Sequence, residues 1–144
     1  MSKETIALAS DHGGFTLKKI LKEELEKAGY DPLDLGCHSL ESVDYPDYAE
    51  AMAQCLAEGR VSRGVLICGS GIGISIAANR HRHVRAALVH DGLTARLSRE
   101  HNNANVLVLG ERTTGVDVAR DCLHIFLNTD FEGGRHERRV AKMS

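Results

Sequence analysis

Residues 64–80 read GVLICGSGIGISIAANR, in which an apolar run passes through alternating glycines into a second apolar segment. Val65, Leu66 and Ile67 form the continuous apolar run that is expected of a strand buried on both faces of a parallel sheet. The segment after the first glycines, within 71–80, predicts a helix. A buried strand followed at once by a helix is typical of β-α-β units, so this stretch indicates an α/β fold.

The same alternation extends in both directions along the chain. Strands are predicted at 5–10, 30–36, 64–70, 84–90 and 104–112, and the second is weakened by Pro32. Helices are predicted at 15–29, 44–60, within 71–80, and at 91–102, 113–129 and 133–143, with one starting after Pro46 and one capped by Asp91. We therefore expect a single three-layer α/β domain over residues 1–144, with a five-stranded parallel sheet between helices.

Composition excludes several classes of function. With 144 residues, 42% hydrophobic and 26% charged, the chain is typical of one globular domain. The net charge of −2 gives no electrostatic reason to bind nucleic acid or an anionic membrane. No apolar stretch approaches the roughly 20 residues of a membrane-spanning helix, and the N-terminal apolar run is too short for a signal peptide. We expect a cytoplasmic protein.

The cysteines and histidines predict neither disulfides nor a metal site. Four cysteines are widely spaced without a C-x-x-C pair, and no secretory signal precedes them, so free thiols are expected. No Cys/His spacing is typical of zinc ligands. His81 and His83 lie among arginines that would repel a cation, so we interpret NRHRHVR as a basic turn that faces solvent or a partner.

The glycine loop is interpreted as an anion site. Gly69, Gly71 and Gly73 let the backbone turn tightly and present N–H groups at a helix N-terminus. Ile74 stands where a dinucleotide loop has its third glycine and where a phosphatase loop has its arginine, and no Gly-Lys-Ser/Thr follows. The alternative is that the glycines only let the strand and the helix pack closely.

Cys68, directly before this loop, is the candidate base. N–H groups at a helix N-terminus stabilise a thiolate, which can then abstract a proton near neutral pH. The same donors could stabilise a developing oxyanion, with the Ser70 hydroxyl to relay or orient a proton. This combination suits proton abstraction next to a carbonyl. The alternative is a small buried residue with no chemical role.

Further candidates follow other strands or end helices. Asp11 and His12 follow the first strand, where they could bind sugar hydroxyls and an anion, or only cap the next helix. His101 lies at the end of a helix. It could be a general acid/base, or it could only interact with the helix dipole. Arg135 and Arg139 share one helical face that, with Arg112, could bind a phosphate; the alternative is a solvated basic helix.

Seven stretches, in order, resemble the type B ribose-5-phosphate isomerase family, which includes galactose-6-phosphate isomerase subunits. They cover nearly the whole chain: ASDHGGFTLK, DLGCHS, DYPDYA, GVLICGSGIGISIAANR, RAALVHD, LSREHNNANVLVLGER and FEGGRHERRV. The resemblance implies a flavodoxin-like or Rossmann-like fold and a homodimer or tetramer with active sites shared between subunits. It also implies interconversion of D-ribose 5-phosphate and D-ribulose 5-phosphate through a cis-enediolate, without metal or organic cofactor.

The resemblance also assigns roles to the candidate residues. It implies that Cys68 is the base, that His101 opens the sugar ring, and that both act on one substrate although His101 comes from the neighbouring subunit. It implies that Ser70 and the N–H groups of Gly71 to Gly73 stabilise the intermediate, with Gly69 as a further substrate-binding residue. It implies that Asn102 binds the reacting oxygens, and that Asp11 and Tyr45 contact the sugar. The residues implied to bind the phosphate are His12, Arg112, Arg135 and Arg139.

Two departures and two alternatives bear on this assignment. Ser70 stands where threonine is also common, and either residue supplies a hydroxyl. Family members without the cysteine use a later glutamate, but GISIAA contains no carboxylate, which favours the cysteine mechanism. The alternative substrates are allose 6-phosphate, galactose 6-phosphate or a tetrose 4-phosphate, because pocket length depends on loops such as that between Gly36 and Pro46. The alternative class is a non-catalytic phosphate-binding module.

Overall fold

The computed structural model describes residues 2–144 and confirms the predicted α/β fold. The strands are β1 Thr5–Ser10, β2 Asp31–Asp34, β3 Gly64–Cys68, β4 Ala86–Leu88 and β5 Val106–Gly110. The helices are α1 Phe15–Lys27, α2 Tyr45–Ala57, α3 Ile72–Ala78, α4 Gly92–Glu100, α5 Val116–Asn128 and α6 Arg135–Ala141, and a short 3-10 helix covers His12–Gly14. All strand pairs are parallel, in the order β2-β1-β3-β5-β4.

The predicted elements differ from the structure mainly at their ends. β4 keeps only Ala86–Leu88 of the predicted 84–90, and β2 keeps Asp31–Asp34 of 30–36. Both are edge strands, which have a pairing partner on one side only, and Pro32 is tolerated at such an edge. α2 begins at Tyr45, so Pro46 lies within its first turn rather than before it, a position where proline costs no hydrogen bond.

Two apolar cores lie on opposite faces of the sheet. Successive residues of a strand point to opposite faces, so Val65 and Ile67 of β3 enter one core and Leu66 and Cys68 enter the other. The first core packs against α1, α4 and α5, and the second against α2 and α3. Since β3 is buried on both faces, its continuous apolar run is explained, and the predicted three-layer architecture is confirmed.

The strand order opens a crevice at the end of the sheet where the strands terminate. From β1 the chain crosses to β2 on one side, whereas from β3 it crosses towards β4 on the other side. Where such connections leave in opposite directions, the carboxyl ends of the two strands are left uncovered, and ligands of parallel α/β sheets bind there. The fold therefore places Asp11 and Cys68, which end or follow these strands, at one crevice.

A buried lysine holds the first strands to α1. Lys18 is 1% exposed, and its Nζ donates to Asp34 Oδ1 at 2.5 Å and to the Cys37 carbonyl oxygen at 2.6 Å. Lys22 adds a weaker, partly exposed contact to the same carboxylate at 3.6 Å. The amphipathic pattern of the helix did not indicate this buried charge, because a lysine in a helix normally belongs to the solvent face.

Within residues 2–144, none of the helices is both long and apolar enough to cross a membrane.

Gly14→Ala is expected to destabilise the fold by about 1–3 kcal/mol, the usual cost of overpacking. A Cβ on Gly14 would lie 2.6 Å from the Ile67 carbonyl oxygen and 2.7 Å from its Cγ2, and neither the backbone of β3 nor its buried side chain can move freely. Urea unfolding measures the change. Gly115→Ala is the control, since a Cβ there meets nothing within 4 Å, and equal losses in the two variants would contradict the steric explanation.

Candidate active site

A cavity of about 540 Å³ opens at the carboxyl ends of β1 and β3, where the crossover connections diverge. Seven of the predicted site residues line it, together with Ile72 and Thr113. These seven are Asp11, Tyr45, Cys68, Gly69, Ser70, Gly73 and Arg112. Residues from four separate segments of the chain thus meet at one place, which is the arrangement expected of a small-molecule site.

Cys68 lies at the floor of this cavity. It is 5% exposed, and its Sγ accepts a hydrogen bond from the Gly71 backbone N–H at 3.1 Å. Gly71 adopts a left-handed conformation with φ of 78°, which turns its N–H towards the sulfur and which glycine adopts without strain. The contact therefore orients the sulfur between the glycine loop and the cavity.

The rest of the loop supplies a hydroxyl and room for a ring. Ser70 Oγ accepts the Ile72 N–H at 3.1 Å, which leaves the hydroxyl proton free to be donated into the cavity. A Cβ on Gly73 would lie 2.6 Å from Cζ of Tyr45, so the absence of a side chain lets this ring pack on the loop. The glycines therefore permit close packing as well as a hydrogen-bonding loop, and the two sequence-based interpretations are compatible.

Asp11 and His12 both hold the backbone near the cavity. Asp11 Oδ1 accepts the Gly13 N–H at 2.9 Å and so caps the short helix that follows β1. His12 Nδ1 accepts the Val43 N–H at 3.1 Å. In the neutral ring the proton then lies on Nε2, the nitrogen that remains to donate. Capping is thus observed for Asp11, which also lines the cavity, whereas His12 does not line it.

The segment after β5 brings a cation to the rim. The Arg112 N–H donates to the Gly69 carbonyl oxygen at 2.9 Å, so the exposed Arg112 is fixed to the glycine loop. Sequence reasoning missed two neighbours. Glu111 Oε1 accepts the Leu17 N–H at 2.7 Å at the start of α1, and Thr113 lines the cavity. The rule that ligands bind beyond strand ends would have found Thr113 if extended by one residue.

His101 and Asn102 do not reach this cavity within one chain. β3 pairs with β5 so that Gly64 lies beside Val106 and Cys68 beside Gly110. His101 follows α4 at the end of the sheet where β5 begins. This end lies roughly 13 Å along the strands from the opposite end, which holds Cys68. Asn102 lines a separate cavity of about 420 Å³, with His81, Arg82 and Arg85 among its other residues. Arg135 and Arg139, exposed on α6, are likewise absent from the Cys68 cavity.

His101 instead lies in a polar cluster with two residues that the sequence did not single out as a site. Its ring stacks on that of His136, with centroids 4.3 Å apart and planes inclined by 14°. Its Nε2 lies 3.9 Å from Glu132 Oε1. Burial lowers the pKa of His136, as do the charges of His101 and Arg135, while the Glu132 carboxylate opposes them. The net effect favours the neutral imidazole of His136.

All four cysteines are free, as predicted, and the structure shows that all four are also buried. Burial raises the pKa of Cys122 to about 11 and also raises that of Cys55, so both remain protonated near neutral pH. Neither lines the cavity at the strand ends. Cys68, the cysteine that lines the cavity, is thus distinguished by its place in the fold.

Comparison with known proteins points to one family. A family model described as Ribose/Galactose Isomerase matches residues 6–143. The ribose-5-phosphate isomerase B of Escherichia coli is 44% identical over 135 residues, which cover 94% of this chain and 91% of that protein. A ribose 5-phosphate isomerase structure from Thermotoga maritima superposes with a TM-score of 0.96 at 48% identity, covering 99% and 98% of the two chains. The Trypanosoma brucei type B ribose 5-phosphate isomerase gives 0.94 at 45% identity, covering 99% and 97%.

Proposed function

This chain belongs to the ribose/galactose isomerase family, and from that premise we propose that it interconverts D-ribose 5-phosphate and D-ribulose 5-phosphate. The observation that carries the proposal is the Cys68 sulfur, which faces a cavity with a backbone N–H donated to it at 3.1 Å. A thiolate beside hydrogen-bond donors suits an aldose–ketose isomerisation, in which a carbon-bound proton is removed and an oxyanion develops nearby.

The proposal assigns each proton transfer to one of these groups. Cys68 removes the proton from C2 of the open-chain aldose, and the electron pair of that bond passes to the carbonyl to give a cis-enediolate. Cys68 then returns the proton to C1, while the hydroxyl proton moves from the oxygen on C2 to the oxygen on C1. The Ser70 hydroxyl and the loop N–H group of Gly73 donate to these oxygens while they carry negative charge, and the Gly71 N–H stays with the Cys68 sulfur.

The remaining contacts divide between sugar and phosphate. Asp11 and Tyr45, on the wall of the cavity, bind sugar hydroxyls, and the N–H of Gly69 adds a backbone donor. Arg112 at the rim binds the phosphate. His12 does not line the cavity, but its Nε2 remains to donate to a phosphate that extends beyond the rim. A phosphate held at the rim fixes the distance from the reacting carbons to Cys68, so the pocket selects for chain length.

A second copy of the chain completes the site in this proposal. His101 opens the sugar ring, Asn102 binds the reacting oxygens, and Arg135 and Arg139 add to the phosphate contacts, all from the neighbouring subunit. Two observations support this arrangement. Within one chain these residues are absent from the Cys68 cavity, and Ile72 and Ile76 are exposed one turn apart on α3, where Ile72 also lines the cavity. An exposed apolar pair beside an incomplete site favours burial against a partner. We further propose a cytoplasmic enzyme of the pentose phosphate pathway.

A substrate panel tests the function. We expect kcat/KM for ribose 5-phosphate to exceed that for allose 6-phosphate, galactose 6-phosphate and erythrose 4-phosphate by at least tenfold. The reason is that a phosphate bound at Arg112 lies at a set distance from Cys68, so a longer or shorter sugar places its reacting carbons away from the sulfur. Initial rates of aldose–ketose conversion measure the ratio, and a Cys68→Ala preparation controls for contaminating isomerases.

Each other outcome of the panel has a definite meaning. A preference for a six-carbon or four-carbon phosphate would replace the proposed substrate by that sugar. Phosphate binding without turnover of any sugar would identify a non-catalytic binding module and contradict the proposed function.

A further inference from the structure

Three side chains outside the Cys68 cavity bring metal-ligating atoms together. His101, Glu132 and His136 each offer one ligand atom, and these atoms all lie within 4.8 Å of one another. Glu132 Oε1 lies 3.9 Å from His101 Nε2 and 3.7 Å from His136 Nε2. Two imidazoles and a carboxylate form a donor set that occurs in zinc proteins, with a water as the fourth ligand.

The buried member of this group lacks a hydrogen-bond partner. His136 is 6% exposed, and among residues 2–144 its Nε2 has no hydrogen-bond partner. A buried polar atom without a partner has lost its hydrogen bonds to water without replacement, so such atoms in folded proteins call for an explanation. Because this nitrogen lies 3.7 Å from Glu132 Oε1, an ion that both atoms coordinate would satisfy it.

We propose that His101, Glu132 and His136 form a binding site for a divalent transition-metal ion, for which Zn²⁺ is the best fit. Imidazole nitrogens favour Zn²⁺ over Mg²⁺ or Ca²⁺, which prefer oxygen ligands. Tetrahedral coordination with bonds of about 2.1 Å places ligand atoms about 3.4 Å apart. No sequence motif indicates this site, because His101 and His136 are widely separated along the chain.

The surrounding backbone allows the three ligand atoms to move closer together, as coordination of one ion requires. The Glu132 N–H donates to the Glu100 carbonyl oxygen at 3.1 Å, so the segment before α6 is already tied to the end of α4 beside His101. The Glu132 side chain is half-exposed and can rotate towards the two rings. Arg135 and Arg139 add positive charge on α6, which repels a cation and lowers its affinity. Because both side chains are exposed and screened by water, this repulsion is limited. We therefore expect micromolar rather than nanomolar affinity.

The ion would act as an inhibitor, a consequence that rests on the role proposed for His101. A histidine whose ring nitrogen coordinates a metal cannot exchange a proton through that nitrogen. Bound Zn²⁺ would therefore block ring opening, the step assigned to His101, while the Cys68 cavity of the same chain lies elsewhere in the fold. Binding itself does not depend on the proposed function, because it requires only the three side chains.

Calorimetric titration of the reduced, metal-stripped protein with ZnCl₂ at pH 7.5 tests the site. We expect one ion per chain, with Kd at least tenfold higher in Glu132→Gln and in His136→Gln. Glu132 is exposed, so its variant remains folded even if the substitution of buried His136 does not. Cys68→Ala and His81→Gln are matched controls for the other soft or imidazole ligands, and both should bind as the wild type does. Absence of binding, unchanged binding in Glu132→Gln, or loss of binding in either control would overturn the site.

An activity measurement tests the inhibitory role separately. Zn²⁺ should inhibit the wild type at the concentrations that saturate the calorimetric site, and Glu132→Gln should need at least tenfold more. Inhibition that is equal in both proteins would overturn the inhibitory role. If no sugar phosphate is turned over at all, the proposed function fails while the titration still decides the metal site.

Discussion

Cys68→Ala is expected to lower kcat/KM for ribose 5-phosphate about a thousandfold, within the range attributed to a single acid/base group. Alanine removes the sulfur that accepts the Gly71 N–H, and with it the group that carries the proton between C2 and C1. The fold should persist, since the side chain is small and lies at the edge of its core. Steady-state kinetics measure the activity, and phosphate binding by calorimetry measures the integrity of the pocket.

Cys122→Ala is the matched control for this substitution. Cys122 is a free, buried cysteine of α5, and its pKa of about 11 keeps it protonated near neutral pH. Its variant should retain activity within about twofold.

Alkylation by iodoacetamide should modify Cys68 before the other cysteines, and the sugar phosphate should protect Cys68 from modification. Loss of activity while Cys68 remains unmodified would show that another group is the base.

Lys18→Met is expected to lower the free energy of unfolding by about 3 kcal/mol, near the lower end of the cost of breaking a buried ion pair. Methionine fills similar volume but leaves the Asp34 carboxylate, which is 17% exposed, without its closest cation. The Cys37 carbonyl oxygen also loses its donor. The Gly36 N–H at 2.9 Å and Lys22 continue to support the carboxylate, which limits the loss. Urea unfolding with an unchanged m-value measures it.

Lys22→Met is the control, because it removes the exposed partner of the same carboxylate. The Lys22 Nζ lies 3.6 Å from Asp34 Oδ2, and a surface ion pair is worth at most about 1 kcal/mol. Lys18→Met should therefore cost clearly more than Lys22→Met. Similar losses would mean that burial does not matter and that charge alone stabilises the fold at this position.

The pH dependence of stability should change in the same variant. Burial raises the pKa of Asp34, but the Lys18 hydrogen bond, the Gly36 N–H and the lysine charges outweigh it, so the pKa lies below its ordinary value of 3.8. A carboxyl group whose pKa is lower in the folded state than in the unfolded state stabilises the fold fully at pH values above its unfolded-state pKa. This contribution is lost as the pH falls through the folded-state pKa. Without Lys18 this lowering shrinks, so Lys18→Met should lose less stability than the wild type between pH 5 and acid unfolding.

The elements with the strongest local patterns were predicted best. The β3 run of Val65, Leu66 and Ile67 was found because both faces of that strand are buried, and the Asp91 cap of α4 was found because capping is a local hydrogen bond to Thr94. β4 was predicted too long, since its apolar flanks Val84 and Val89 are buried outside the ladder. The buried Lys18 was missed, because its partner Asp34 lies on another strand and no helical pattern indicates it.

The sequence by itself determined the α/β class, the free thiols and the candidates Cys68, Ser70 and Asp11. Periodicity, glycine spacing and strand-end position are properties of near neighbours, so one chain read in order contains them. Only the tertiary structure decided the strand order, which places Asp11 and Cys68 at one crevice. It also decided that His101 lies at the opposite end of the strands. It also decided that His101 meets Glu132 and His136. Such meetings depend on how distant segments pack, a choice set by the free energy of the whole core and not by any local stretch.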